Sequence, residues 1–258
     1  MNTYLRKVGH VLHSWHEHGY TFWKLRETQL PINGKMNYEE RQYLFCYQSA
    51  LRGENLIAYD IGAANGTVSS CLAKLSNIKE VHAFEPIVSA FDELKIRVKE
   101  SPKVICHNVA LGDFNSEYQM WVIEQSRDSS SILRMGQIHK DEVPGINFSD
   151  HSEKIQVVRL DDYAIEKKLP LPNVIKIDVQ GYEGHVLQGG QKTIPKARFC
   201  IVEMSFVPLY ENAPLFDDIY SILQTMGFRL IGVCEHIPGN TGIQMQVDGI
   251  FQKEGIID

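Results

Sequence analysis

Several things are scarce in this chain. Its five cysteines, Cys46, Cys71, Cys106, Cys200 and Cys234, are odd in number, far apart and never in a C-x-x-C pair. That spacing offers neither a disulfide framework nor a zinc site, and most of the five sit inside apolar runs. They are expected to be buried reduced thiols of a cytoplasmic protein. No apolar run approaches the roughly 20 residues of a membrane-spanning helix, and the N-terminus lacks a signal-peptide core, so no membrane span is expected. Positive charge is also short: 26 Lys and Arg against 32 Asp and Glu give a formal net charge of -6. A general nucleic-acid binder needs a basic face, so nucleic acid is not an expected partner. A glycine is missing at one telling place. A dinucleotide fingerprint reads G-x-G-x-x-G, and here the loop reads Gly62-Ala63-Ala64-Asn65-Gly66, with Ala64 where the second glycine would stand.

What is present around that loop organises the rest. Leu56-Ile57-Ala58-Tyr59-Asp60 is a short apolar run ending in a carboxylate, and Val68 to Leu75 follows the loop as a helix. A buried parallel strand feeding a tight turn and a helix N-terminus suits a nucleotide or another polar ligand. Gly62 and Gly66 let the backbone turn sharply and approach that ligand. Asp60 is placed to accept a hydrogen bond from a cationic or amide donor. A second strand, Glu80 to Phe84, ends in Glu85-Pro86. A carboxylate at that tip can receive both hydroxyls of a ribose, one on each oxygen, and Pro86 turns the chain away from further pairing.

The 258 residues, 43% hydrophobic, are enough for one large domain with an extension. Residues 1–53 are expected to be that extension: a helix over Thr3 to His18, in which His10, His13, His16 and His18 are polar positions rather than ligands, then a helix from Tyr38 to Arg52 with Tyr43, Leu44, Tyr47, Ala50 and Leu51 buried. The domain proper is expected over 54–258. A crossover helix is predicted over Ser89 to Glu100 and a third strand over Val104 to Leu111, where Asn108 either meets an adenine edge or is a polar strand-end residue. Between 115 and 160 the pattern shifts to a substrate-facing insertion, two strands around a long polar segment. Its Asn147-Phe148-Ser149 sequon is incidental in a cytoplasmic protein.

Asn173 to Asp178 predicts a further strand that delivers a carboxylate to the same edge as Asp60 and Glu85, with a helix from Glu183 to Gly189 behind it. Phe199 to Glu203 ends in another carboxylate. A helix over Leu215 to Met226 and strands over Phe228 to Val233 and Asp248 to Gln252 complete the pattern.

Five blocks, in this order, now carry a family resemblance: Asp60-Ile61-Gly62-Ala63, Phe84-Glu85-Pro86, Ala110-Leu111-Gly112-Asp113, Val158-Arg159-Leu160-Asp161-Asp162-Tyr163 and Ile175 to Glu183. From about Ala58 to Phe251 the chain resembles the FkbM-type methyltransferases. The resemblance implies an α/β fold: the Rossmann-like class I methyltransferase sheet of seven strands, the last antiparallel, with helices on both faces. It implies S-adenosylmethionine as cofactor and a hydroxyl oxygen of a sugar or small natural product as acceptor. The cofactor-binding residues it implies are Asp60, Gly62, Ala63, Asn65, Gly66, Glu85, Pro86, Asn108, Ala110 and Asp178. Two positions depart from the family pattern: Asn65 is displaced by one place, and Gln180 stands where a glutamate is usual.

Methyl transfer to an alcohol is an in-line displacement in which the acceptor oxygen is held in line and loses its proton. Asp178 and Glu203 are the candidate catalytic residues, as general base, and Asp178 is alternatively a positioning group for the methionine amino group. His185 is expected at the surface, and no metal site is expected. Two other readings stay open: an NAD-linked Rossmann oxidoreductase, since Glu85 suits either ribose, and a methyltransferase-like fold that binds without turnover.

Overall fold

The computed structural model describes residues 32, 44, 47–123, 130–142 and 152–255, with the backbone alone at 235–238. The helix and histidines expected before residue 31, most of the helix expected over 38–52, and the sequon lie outside the described residues. The chain divides into two units, Met1–Leu30 and Pro31–Asp258. Within the second, Leu44, Tyr47, Ala50 and Leu51 are buried.

The central strand β1 (Leu56–Ile61) is buried at every position and pairs in parallel with β2 (Ile78–Phe84). A helix α1 (Thr67–Ala73) joins the two. Beyond β2, helix α2 (Val88–Val98) leads to β3 (Val104–His107), parallel to β2. On its other side β1 pairs in parallel with β7 (Val174–Ile177), which pairs with β8 (Phe199–Ser205). Helix α5 (Glu183–Gly189) follows β7 and α6 (Phe216–Thr225) follows β8. The late strands β9 (Phe228–Pro238) and β10 (Gln244–Lys253) close the edge, β10 running antiparallel between β8 and β9. The order β3-β2-β1-β7-β8-β10-β9 brings the C-terminal ends of β1, β2, β7 and β8 to one edge, with the order reversing beside β1. Ligands of open α/β sheets bind at such a crevice.

Strands buried on both faces need near-continuous apolar sequence, and β7 and β8 supply it. Ile175, Ile177, Cys200 and Val202 pack with Tyr59, Phe84, Val186 and Leu187 in the main core. Burying an aliphatic side chain of this kind contributes roughly 1.5–3 kcal/mol relative to leaving it in water.

The expected third strand over Val104 to Leu111 is broken in two. The Asn108 amide donates to the carbonyls of Glu85 and Pro86, both at 2.9 Å, which turns the chain out of the large sheet. The second half, β4 (Ala110–Gly112), joins a separate three-stranded sheet in the order β4-β6-β5, with β5 (Ser116–Trp121) and β6 (Ser152–Arg159). The region 115–160 is therefore largely this small sheet, with a short helix α3 (Gln137–Glu142) between its strands. Leu160, expected to end a strand, begins helix α4 (Leu160–Glu166) instead. Asp161 and Asp162 occupy the first turn of α4, where negative charge complements the helix dipole.

Candidate active site

A cleft opens where β1, β2 and β7 end. It is lined by Ile61, Gly62, Ala64, Glu85, Ile87 and Asp178 among others, and its empty space is about 550 Å³, part of it open to solvent. Of the residues expected to hold a cofactor, Gly62, Glu85, Pro86, Ala110 and Asp178 line this cleft.

Glu85 is held rigidly. Its Oε2 accepts the N–H of Ala64 at 2.9 Å and its Oε1 accepts the N–H of Ile87 at 2.8 Å. Ala64 sits at φ +46°, an uncommon conformation for a residue with a side chain, and in that place its amide turns toward Glu85. Gly62 is required by close packing. A Cβ there would lie 1.8 Å from the Asp178 carbonyl oxygen, and φ is +83°. The turn after β1 therefore touches the turn after β7, and no other residue fits between them.

The remaining expected residues stand behind or beside the cleft. Asp60 is fully buried and takes the Ser69 hydroxyl at 2.6 Å on Oδ2, while its Oδ1 has no hydrogen-bond partner among the described residues. Burial pushes its carboxyl up, against the pull of Lys176 and Ser69. Ala63 packs beside α2, in a cluster with Leu94 and Val98. Asn65 Oδ1 accepts the Thr67 hydroxyl at 2.7 Å and the Thr67 N–H at 3.2 Å, tying down the start of α1. Gly66 backs onto Leu94. Asn108 donates its side-chain amide to the loop carbonyls described above.

At the end of β7 lies a buried polar network. Lys176 donates to Asp178 Oδ2 at 2.8 Å. The Gln180 amide bridges two acids, donating to Asp178 Oδ1 at 2.9 Å and to Glu203 Oε2 at 3.0 Å. Tyr210 donates to the Gln180 side-chain oxygen at 2.7 Å, and the Ser131 hydroxyl to its backbone carbonyl at 2.6 Å. These bonds hold Gln180 at φ +55°. A glutamate here would have no N–H for either acid, and when protonated only one O–H, enough for one of the two.

The acids of this network are driven apart. Burial pushes the Asp178 carboxyl up, but the Lys176 ammonium and the hydrogen bonds to it prevail and leave it below the usual range, so it is ionised. Glu203 is buried beside Asp178, Glu183 and Asp248, and burial and those charges hold its carboxyl well above the usual range. It does not line the cleft. Of the two candidate bases, Asp178 reaches the cleft as a carboxylate and Glu203 braces it from behind. Glu183, also buried, accepts the N–H groups of Val179 and Gly181 at 3.0 and 3.1 Å. Burial raises its carboxyl to about 7.

Lys176 has no expected role in the sequence, yet it orients Asp178. Burial works against its charge, but Asp178, Asp248 and Asp60 keep its ammonium well above the usual lysine range. The signal available was a lone cation inside the apolar run Val174 to Ile177. Ala64, Ile87, Met120, Ile132 and Tyr182 also line the cleft, and nothing local in the sequence marks Met120 or Ile132. His185, expected at the surface, is partly exposed: its Nδ1 lies 3.0 Å from Asp113 Oδ2 and its ring stacks on Tyr182. No group of three His, Cys, Asp or Glu side chains able to hold a metal occurs among the described residues.

The oxidoreductase reading gains nothing from this geometry. A Tyr-x-x-x-Lys spacing does occur at Tyr163 and Lys167. The Tyr163 hydroxyl meets His107 at 3.1 Å and Lys167 meets Glu166 at 2.8 Å, and neither lines the cleft.

The 2-O-methyltransferase NoeI of Sinorhizobium fredii is 27% identical over 169 residues, covering 64% of this chain and 69% of that protein. The hexuronic acid methyltransferase AglP of Haloferax volcanii is 29% identical over 152 residues, covering 58% of this chain and 56% of that protein. Among solved structures, a precorrin-6y C5,15-methyltransferase from Geobacter metallireducens overlays with a TM-score of 0.48 at 13% identity, covering 86% of this chain and 93% of that one. The model of the methyltransferase FkbM domain matches residues 60–230, from the end of β1 into β9, and so takes in both cleft carboxylates and the network behind them. The chain belongs to the FkbM methyltransferase domain family and is an S-adenosylmethionine-dependent methyltransferase.

Proposed function

We propose that this methyltransferase acts on a hydroxyl oxygen of a sugar, in a small-molecule or glycan acceptor, and that Asp178 receives the hydroxyl proton. Two relatives bear the names of a 2-O-methyltransferase and a hexuronic acid methyltransferase. The alignments span 69% and 56% of those proteins.

The donor set of the cleft fits the cofactor. Each Glu85 oxygen accepts one backbone N–H, which fixes the plane of the carboxylate where it lines the cleft, in a position to meet the ribose hydroxyls. Ile87, Val109, Leu111 and Met120 give apolar walls that suit a nucleoside base. When bound, S-adenosylmethionine supplies a methyl group on a cationic sulfur and leaves as a neutral thioether.

The observation that carries the reading is the pairing of Glu85 and Asp178, two carboxylates lining one cleft from the ends of β2 and β7. With Glu85 suited to the ribose, Asp178 is free to meet the acceptor. An alcohol becomes far more acidic than any carboxylic acid as its oxygen bonds to the methyl carbon. A carboxylate held below the usual range therefore suffices as the proton's destination, late in the displacement. Lys176 and Gln180 bond one Asp178 oxygen each, which fixes its orientation before the acceptor arrives.

Asp178→Asn tests this. With a panel of mono- and oligosaccharides as acceptors, the variant should lose roughly a hundredfold or more in kcat, while its affinity for S-adenosylhomocysteine stays close to wild type. Near-wild-type turnover would refute the role. Loss of S-adenosylhomocysteine affinity instead would reassign Asp178 to holding the cofactor.

A further inference from the structure

A second depression adjoins the cleft on the small sheet. It is lined by Glu117, Tyr118, Trp121, Arg134, Lys154 and Glu211 with their neighbours, and its empty space is about 1040 Å³, part of it open to solvent. Ile132 lines both spaces. On β5, Met120 lines the cleft while Gln119 and Trp121 line the groove, as alternation of successive strand residues across the two faces of a sheet allows. The wall of the active site is thus also the wall of the groove.

The groove is built rather than incidental. Trp121 is fixed by a two-way backbone pairing with Ser131, at 2.9 and 3.1 Å, and the Arg134 guanidinium lies 4.7 Å from its ring centre. Arg134 is fixed in turn by its carbonyl, which accepts the N–H of Glu211 at 2.7 Å. Lys154 and Glu117 pair at 2.6 Å across the strands, and Tyr118 is about half exposed beside them.

The chemistry of these side chains selects among ligands. The Trp121 indole gives a flat apolar plate. Arg134 and Lys154 donate hydrogen bonds and Glu117 and Glu211 accept them, with the two charges of each sign balanced. An anionic ligand would meet two carboxylates in such a groove. An uncharged ring dense in hydroxyls, with an apolar face and both donors and acceptors around its edge, satisfies every group.

We propose that this groove is a subsite for an uncharged sugar unit adjoining the one that is methylated, so that the enzyme's acceptor is an oligosaccharide or glycoconjugate rather than a free monosaccharide. The proposal rests on the reading of the enzyme as a sugar O-methyltransferase. The reacting hydroxyl lies in the cleft, and the chain of the acceptor leaves over Ile132 onto Trp121 and Arg134.

The test uses the full chain with Trp121→Ala and Trp121→Phe. Wild type is applied with S-adenosylhomocysteine to an array of neutral and uronic-acid-bearing oligosaccharides, and the glycan retained is then offered as acceptor in fragments of one to four units. Wild type should retain neutral glycans, and its kcat/KM should rise with fragment length. Trp121→Ala should lose the retention and flatten that rise by up to roughly tenfold, the scale of one stacking contact, with kcat on the single unit and S-adenosylhomocysteine affinity unchanged. Trp121→Phe should restore most of the rise, which a merely misfolded variant would not show. Retention of no glycan, retention of uronic-acid glycans alone, or an equal rise in Trp121→Ala overturns the proposal. Retention lost in Trp121→Ala with no methyl transfer to any sugar would instead remove the sugar O-methyltransferase reading and leave the groove as a glycan site.

Discussion

Replacing Glu183 by Gln removes a buried titratable carboxyl while keeping an oxygen that the turn after β7 can use. Glu183 Oε1 accepts two backbone N–H groups, and a glutamine oxygen can accept the same pair. What changes is the proton. Burial raises the carboxyl from an ordinary 4.5 to about 7, so the folded state binds this proton more tightly than the unfolded chain does. The stability it contributes is full below about pH 4.5 and is lost as pH rises through about 7. The whole change is worth about 3 kcal/mol, of which about 2–3 kcal/mol falls between pH 5 and pH 8. The neighbouring Glu203 is present in both proteins and is pushed up in part by the Glu183 charge, so the difference between them reports Glu183 together with its effect on Glu203. Urea unfolding across that range should show Glu183→Gln gaining on wild type as pH rises. Thermal melts should show the gap opening by about 5–10 °C for a chain of this size. Parallel stability curves for the two proteins would refute the account of Glu183 as a buried, protonating acid.

Two further substitutions probe the scaffold. Gly62→Ala puts a methyl group 1.8 Å from the Asp178 carbonyl at φ +83°. The left-handed conformation alone costs about 1–2 kcal/mol and relieving the overlap must part the β1 and β7 turns, so melts should show a large loss of stability, together with loss of cofactor binding. Asp161→Ala removes a buried carboxylate that accepts the N–H groups of Lys192 and Thr193 at 2.8–3.2 Å. Unfolding should become easier by about 2–4 kcal/mol, with cofactor affinity little changed because Asp161 does not line the cleft.

Much of this molecule was legible because its signals are local. The strand before Gly62, the acid at the end of β2 and the apolar run of β7 each reveal both an element and a residue at its tip, since a parallel strand buried on two faces needs an apolar run. The helix Glu183–Gly189 was readable to the residue. What escaped was set by contacts distant in sequence. Asn108 splits a continuous apolar segment by bonding to Glu85 and Pro86, more than twenty residues earlier. Asn65 reads as a loop residue, and the bonds its side-chain oxygen accepts from Thr67 depend on how the turn closes. Gly62 lines the cleft, and the close packing its missing Cβ allows is against Asp178, from a turn far along the chain. The state of Glu203 could not be read from a strand-end acid alone, because it depends on Asp178, Glu183 and Asp248 arriving from other elements.

The central claim is that the cleft between Glu85 and Asp178 holds S-adenosylmethionine, and calorimetric titration with S-adenosylhomocysteine tests it most directly. Wild type and Glu85→Ala are titrated side by side, with NAD as control and melts to verify that the variant is folded. Hydrogen bonds to a charged group contribute about 1.5–3 kcal/mol each, so losing the carboxylate should weaken S-adenosylhomocysteine by roughly a hundredfold or more, with no heat from NAD. Equal affinity in the two proteins, or a wild type that binds NAD and not S-adenosylhomocysteine, would contradict the account.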